Sequence, residues 1–237
     1  MTARGGRQRI PRPPSAQPGG PPAWARLAPH QRRFTLDEVR AACADLPEPR
    51  RPVGPSTARP AAVLLALFED PGDDGRGPDT HVFLTKRPDT MPSHQGEIAF
   101  PGGKLDDELD GSLRDAALRE AHEEIGLDPQ TVEIVAELDS LVTVMGRFVL
   151  TPFVGLLPGR PVLSPDPTEV VSVFDVALSE LLDDATFREE RWDVPAGVGV
   201  TPGRNRPIHF FELPGETVWG ATAHILAGFL EHLTARR

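Results

Sequence analysis

Residues 61–68 form an unbroken apolar run of strand length, residues 70–79 are rich in Gly, Asp and Pro, and a second strand-like run follows at 81–87. This pattern predicts a hairpin feeding a central sheet. A shorter strand is expected at 96–100, stopped by Pro101-Gly102-Gly103, and others at 132–138, 148–157, 170–174 and 208–213. Helical periodicity falls at 177–182 and 222–233, and at 35–46, where Thr35 and Glu38 have capping-box spacing. Strands outnumber helices and the helices lie between strand groups, so the class is α+β with α/β/α layering. No internal repeat is visible.

One further helix has a pattern that demands chemistry. Ser112 with Asp115 forms its N-terminal cap, Leu113, Ala117, Ala121 and Ile125 recur every four residues, and Gly126 stops it. Glu124 projects onto this apolar stripe and Glu120 lies beside it. A carboxylate facing the core is costly unless a cation or donor meets it. Glu120, Glu123 and Glu124 are spaced i, i+3 and i+4, so their side chains are expected to converge over one turn as hard oxygen ligands for a divalent ion. The competing reading is a solvated charged face with an Arg119–Glu123 pair of little value. The glycines at 102 and 103 weigh against it, because they let backbone N–H groups approach an anion closely.

Composition narrows the setting. The chain has 237 residues and a net charge of −10, which argues against nucleic acid as partner. Residues 1–60 hold eleven arginines, four acidic residues and twelve of the 27 prolines, leaving +7 in this part and −17 in the rest. Such a composition cannot bury enough apolar surface to order itself, so residues 1–33 are expected to be a disordered Pro/Arg-rich tail. Residues 34–60 then read as a short helix and Pro-rich linker, and 61–235 as the folded domain. A single cysteine, Cys43, excludes an intrachain disulfide and a cysteine-based zinc site. No apolar stretch has membrane-helix length and the N-terminus lacks an apolar leader-like run, so a cytoplasmic location is expected.

The run Arg119-Glu120-Ala121-His122-Glu123-Glu124-Ile125-Gly126-Leu127, preceded by Gly103, resembles the signature of the Nudix hydrolases. Leu109 stands where that pattern has an earlier glutamate and the loop is two residues longer, so Asp106, Glu108 or Asp110 is the stand-in. Residues 83–87 with 94–103 resemble the extra motif of the coenzyme A pyrophosphatase branch, as does the segment 218–223. Pro88 and Pro92 depart from that motif, at positions that carry a small residue and an arginine in the branch.

The resemblance implies an α/β/α sandwich with a mixed sheet, dependence on Mg2+ or Mn2+, and attack by water on a small-molecule nucleotide diphosphate. Coenzyme A or its acyl derivatives would yield 3′,5′-ADP and 4′-phosphopantetheine. A broader nucleoside-diphosphate hydrolase is the runner-up, and a non-catalytic nucleotide-binding regulator comes from another class.

Glu120, Glu123, Glu124, Glu97 and the Gly103 carbonyl are the candidate metal ligands. Glu123, Arg119 and Glu120 are the candidate catalytic residues, with Arg119 orienting a glutamate. Arg87, Gly102 and Gly103 are assigned to substrate. Glu169 is a candidate general base across the cleft. His94 lies in the approach loop, His122 reads as an exposed spacer, and Phe100, Phe174 and Trp219 read as core. A homodimer is the candidate assembly.

Overall fold

The apolar run at 61–68 is unbroken because both of its faces are covered. In the computed structural model, which describes residues 3–72, 75–88, 95–143, 146–194 and 203–237, alternate side chains of this strand enter two different cores. Val63, Leu65 and Leu67 join one, while Ala62, Leu64, Ala66 and Phe68 join the other. A central strand with helices on both sides needs apolar residues at every position, which removes the usual alternation.

In chain order the elements begin with β1 (Gln17–Pro18), α1 (Leu36–Ala44), β2 (Arg59–Asp70), β3 (Asp79–Lys86), β4 (Ile98–Ala99) and β5 (Gly102–Lys104). They continue with α2 (Leu113–Ile125), β6 (Glu133–Glu137), β7 (Leu141–Val142), β8 (Phe148–Leu156) and β9 (Ser172–Ala177). The last are α3 (Leu178–Leu181), β10 (Phe187–Val194), β11 (Gly203–Leu213), β12 (Glu216–Trp219) and α4 (Gly220–Thr234).

The large sheet runs β4-β3-β2-β8-β6, with β5 on β2, β7 on β8 and β9 on β3. It is mixed: β2 and β8 are parallel, Ala61 facing Leu150 and Leu65 facing Val154, and the other pairs are antiparallel. Helix α2 packs on one face through Ala116, Ala117, Ala121 and Ile125. Helices α1 and α4 pack on the opposite face through Val39, Ala42, Ile225 and Leu226. The α/β/α layering expected from the sequence is therefore present.

A second, four-stranded sheet, β1-β10-β11-β12, was not foreseen. Strand β10 reads Phe-Arg-Glu-Glu-Arg-Trp-Asp-Val, and its polar side chains are held by ions rather than by apolar neighbours. Arg188 pairs with Glu190 and Glu212, and its guanidinium lies 3.8 Å from the Phe210 ring centroid.

The same sheet corrects the expectation of a disordered N-terminus. Strand β1 pairs with β10, Gln17 opposite Arg191. Trp24 is completely buried and meets Phe187 edge-to-face at 4.9 Å. Arg4 reaches Glu180 at 2.7 Å, Arg12 reaches Glu190 at 2.7 Å, and the buried Arg32 donates to the carbonyls of Leu27 and Leu182. A composition poor in apolar residues is thus ordered by one large aromatic anchor and by arginines matched to acidic partners. Residues 34–60 are likewise tied down: Phe34 is buried, and Arg50 and Arg51 pair with Asp139 and Glu137. No helix among the described residues is long and apolar enough to cross a membrane.

Candidate active site

Helix α2 is fixed at both ends by the residues its sequence offers. Ser112 accepts the Asp115 N–H, and Gly126, at φ +69°, closes the C-terminus in the left-handed conformation that glycine adopts without strain. Strand β5 lies alongside, because β2 pairs with it through Ala62–Gly103 and Val63–Gly102. Gly102 sits at φ +147°, and a Cβ there would lie 2.3 Å from the Ala62 carbonyl oxygen. At Gly103 an added Cβ would fall 2.3 Å from the Glu120 carboxyl carbon. Gly102 is required by its φ and by the closeness of the β2 backbone, while Gly103 leaves room for the Glu120 carboxylate.

Glu124 is the extreme case, only 4 % exposed. Its Oε2 accepts the Gly102 N–H at 3.1 Å, and its Oε1 is 3.8 Å from the Arg87 guanidinium. Burial pushes its pKa up to about 7 against these two favourable contacts, and the charges of Glu120 and Glu169 push the same way. Glu120 is also raised by burial, with Glu123 and Glu169 adding to the rise and Arg119 opposing it. Glu169 is exposed at the start of the segment leading into β9, and so stands close enough to both helix carboxylates to repel them.

Arg119 organises the outer side of the site. Its Nε and an Nη donate to the two oxygens of Asp110 at 2.8 and 3.0 Å, a bidentate clamp. It also donates to Glu120 at 3.0 Å, Glu123 at 2.8 Å and the Lys104 carbonyl at 3.2 Å. Asp110 is held below the usual carboxylate range, first by its hydrogen bonds from Arg119. Of the three stand-ins for the absent glutamate, Asp110 is the one that meets the arginine. Asp106 instead accepts the Glu108 N–H at 2.9 Å within its own turn.

The structure also departs from the expected convergence of three glutamates. Among the described residues, no three histidine, cysteine, aspartate or glutamate side chains form a ready-made metal cage. Arg119 draws Glu123 outward, its side chain being 50 % exposed, while Glu120 and Glu124 stay on the core side. The residues present nonetheless suit a hard cation. Two carboxylates lie against glycine backbone with Glu169 near enough to repel both, and among the described residues Arg87 and Arg119 offset that repulsion.

Other candidates are placed as follows. Among the described residues the buried Arg87 Nε has no hydrogen-bond partner. The Arg87 N–H donates to the Glu97 carbonyl at 3.0 Å, which puts Glu97 beside it. The Gly102 N–H, assigned from sequence to substrate, is committed to Glu124. His122 is exposed, its ring nitrogen 3.1 Å from the Leu127 carbonyl. His94 and Pro92 lie outside the described residues. Unforeseen was the bond from Lys86 at the end of β3 to Glu216 of the second sheet, at 2.5 Å. A lone lysine and a distant glutamate give no sequence signal for such a pair.

Comparison with known proteins identifies the family. The NUDIX domain family matches residues 58–196. Nudix hydrolase 22, chloroplastic, of Arabidopsis thaliana is 40 % identical over 174 residues, covering 70 % of this chain and 52 % of that protein. The uncharacterized Nudix hydrolase NudL of Photorhabdus laumondii is 36 % identical over 168 residues, covering 71 % of this chain and 81 % of its own. The chain spans about half the length of the plant relatives it matches. Among solved structures, a MutT/nudix family protein from Enterococcus faecalis aligns at 16 % identity with a TM-score of 0.46, covering 84 % of this chain and 69 % of that one. Nudix enzymes generally use divalent metals. The family match covers more than half of the sequence, and on that ground the chain belongs to the Nudix hydrolase family.

Proposed function

We propose that the protein hydrolyses the diphosphate of coenzyme A or its acyl derivatives, using Mg2+ or Mn2+ and releasing 3′,5′-ADP and (acyl-)4′-phosphopantetheine. The observation that carries the hydrolytic reading is the buried Glu124 carboxylate, set between the Gly102 N–H and Arg87 with Glu120 and Glu169 as negative neighbours. Nothing in a structural role requires a carboxylate there, and each nearby acid raises its cost.

In this reading Glu120 and Glu124 hold the cation, with the Gly103 carbonyl and Glu97 as further ligands. A divalent ion bound there supplies Lewis-acid polarisation of the diphosphate and a water of lowered pKa. Glu123, half exposed beside Arg119, completes the set or polarises the attacking water. Arg119, clamped by Asp110, fixes the direction of the Glu120 carboxylate and so acts on the reaction by positioning. Arg87 donates to a phosphoryl oxygen through its Nε, which has no partner among the described residues. Glu169 faces the helix from across the cleft and takes the proton of the attacking water.

The choice of coenzyme A is supported by the motif at 83–87 and 94–103 and by the segment 218–223. Pro88 and Pro92 favour a second reading, a broader nucleoside-diphosphate hydrolase acting on ADP-ribose, dinucleotides or oxidised nucleotides. Purified protein with Mg2+ or Mn2+ and a panel of these diphosphates separates the two. Cleavage of coenzyme A to two phosphate-bearing products is expected; coenzyme A left intact while ADP-ribose is cleaved would end the first reading.

A further inference from the structure

Strand β9 forms an edge of the large sheet and leads away from the carboxylate site. The Val171 N–H donates to the Lys86 carbonyl at 2.8 Å, next to Arg87. Beyond it Val173 faces Thr85 and Asp175 faces Phe83. Directly opposed residues share a face of the sheet, and Phe83 and Val173 belong to the core beneath α2. Val173 and Asp175 therefore lie along the α2 side of the sheet, and the five residues from Val171 to Asp175 span ~13 Å from the position beside Arg87.

This track is unusually apolar for a surface. Val171 is 60 % exposed, and Val162, on the facing segment, is 97 % exposed. Further along β9 lies a cleft of about 450 Å3 lined by Phe83, Leu163, Pro165, Val173, Arg160 and Asp175 among others. Its size is within the range of roughly 300–1,000 Å3 that receives small-molecule groups. Its two polar side chains are already engaged: Asp175 accepts from Arg160 and lies 2.7 Å from His81 Nδ1. Arg160 also lies over the Phe68 ring, 5.5 Å from its centroid. The cleft thus combines apolar side chains with one charged wall whose carboxylate is engaged by Arg160 and His81.

We infer that the cleft between β9 and residues 160–165 receives the uncharged apolar tail of the substrate, the part beyond the diphosphate. This rests on the diphosphate-hydrolase reading. Its consequence is a preference set by tail length rather than by the base. The track begins beside Arg87, so a diphosphate held by the carboxylate site is already positioned to lay its tail along Val171 and Val173.

Adenosine 5′-diphosphate esterified on its β-phosphate with ethanol or with octanol provides the probe, assayed with Mg2+ and, in parallel, by calorimetric binding. The octyl ester is expected to show a KM about tenfold lower than the ethyl ester, as burial of a few methylenes requires. Leu163→Glu and Pro165→Glu should bring that ratio towards one; Pro165 is exposed, so the second variant should keep its fold. Equal KM values for the two esters, or a ratio that survives both variants, would overturn the inference. A uridine ester whose disadvantage disappears in Pro165→Glu would place the base in the cleft and overturn it too. If neither ester is hydrolysed, the diphosphate-hydrolase reading fails, and the calorimetric ratio of the two dissociation constants decides the cleft separately.

Discussion

A carboxylate with a folded-state pKa of about 7 makes a definite statement about pH. Glu124 is raised above its ordinary 4.5 chiefly by burial, so the folded chain binds this proton more tightly than the unfolded chain. Its stabilising contribution is complete below pH 4.5 and is lost as pH rises through about 7. Metal-free Glu124→Gln should therefore be more stable than wild type above pH 7, by on the order of 3 kcal/mol, with the difference vanishing near pH 4.5. Denaturant titration in EDTA across that range measures it, and a pH-independent difference would refute the burial argument. The same substitution should lower metal-dependent hydrolysis by more than about 100-fold, since even indirect partners of a metal ligand contribute about 10–100-fold.

Neighbouring residues give sharper tests of position. Gly103→Ala would place a methyl group 2.3 Å from the Glu120 carboxyl carbon, so activity should fall steeply while Tm changes little. Asp110→Asn removes the charge that clamps Arg119 at 2.8 and 3.0 Å. A loss of about 10–100-fold in kcat/KM is expected, with the fold intact by circular dichroism. Activity unchanged in Asp110→Asn would show that Leu109's missing glutamate has no functional stand-in there.

At the scale of elements, what could be read from the sequence follows how each element is stabilised. Helix α2 was legible almost to the residue, because Ser112, the four-residue recurrence of Leu113 to Ile125 and Gly126 all specify the same limits. The Thr35–Glu38 capping box is present as expected. Of the second sheet the strand at 208–213 was legible, as part of β11, but β10 was not, because it is stabilised by ion pairs and one cation–aromatic contact and shows no apolar alternation. The N-terminal strap escaped for a related reason: its order depends on Trp24, and one aromatic in a Pro-rich stretch carries no periodicity. Trp24→Ala should cost about 3–5 kcal/mol and expose residues 3–33 to limited proteolysis. Retained protease resistance there would mean that the arginine pairs alone hold the strap.

In the whole molecule the charge asymmetry has an internal destination. At least five of the eleven arginines of the first sixty residues meet acidic groups of the folded body in this way, Arg4 at Glu180, Arg12 at Glu190, Arg40 at Glu133, Arg50 at Asp139 and Arg51 at Glu137. This leaves the carboxylates of α2 with Arg87 and Arg119 as nearby cations. The candidate site was legible in its residues but not in its arrangement. Spacing brought Glu120, Glu123 and Glu124 to one turn, yet only the structure shows Arg119 separating Glu123 from the other two. The proposed function requires a divalent cation at Glu120 and Glu124. Calorimetric titration of Mn2+ into the metal-free protein at pH 7 tests this most directly. Saturable binding accompanied by proton release is expected in the wild type, because Glu124 is partly protonated there, with both signals lost in Glu124→Gln. Binding of equal affinity and equal proton release in the two proteins would contradict the assignment of the metal to this helix.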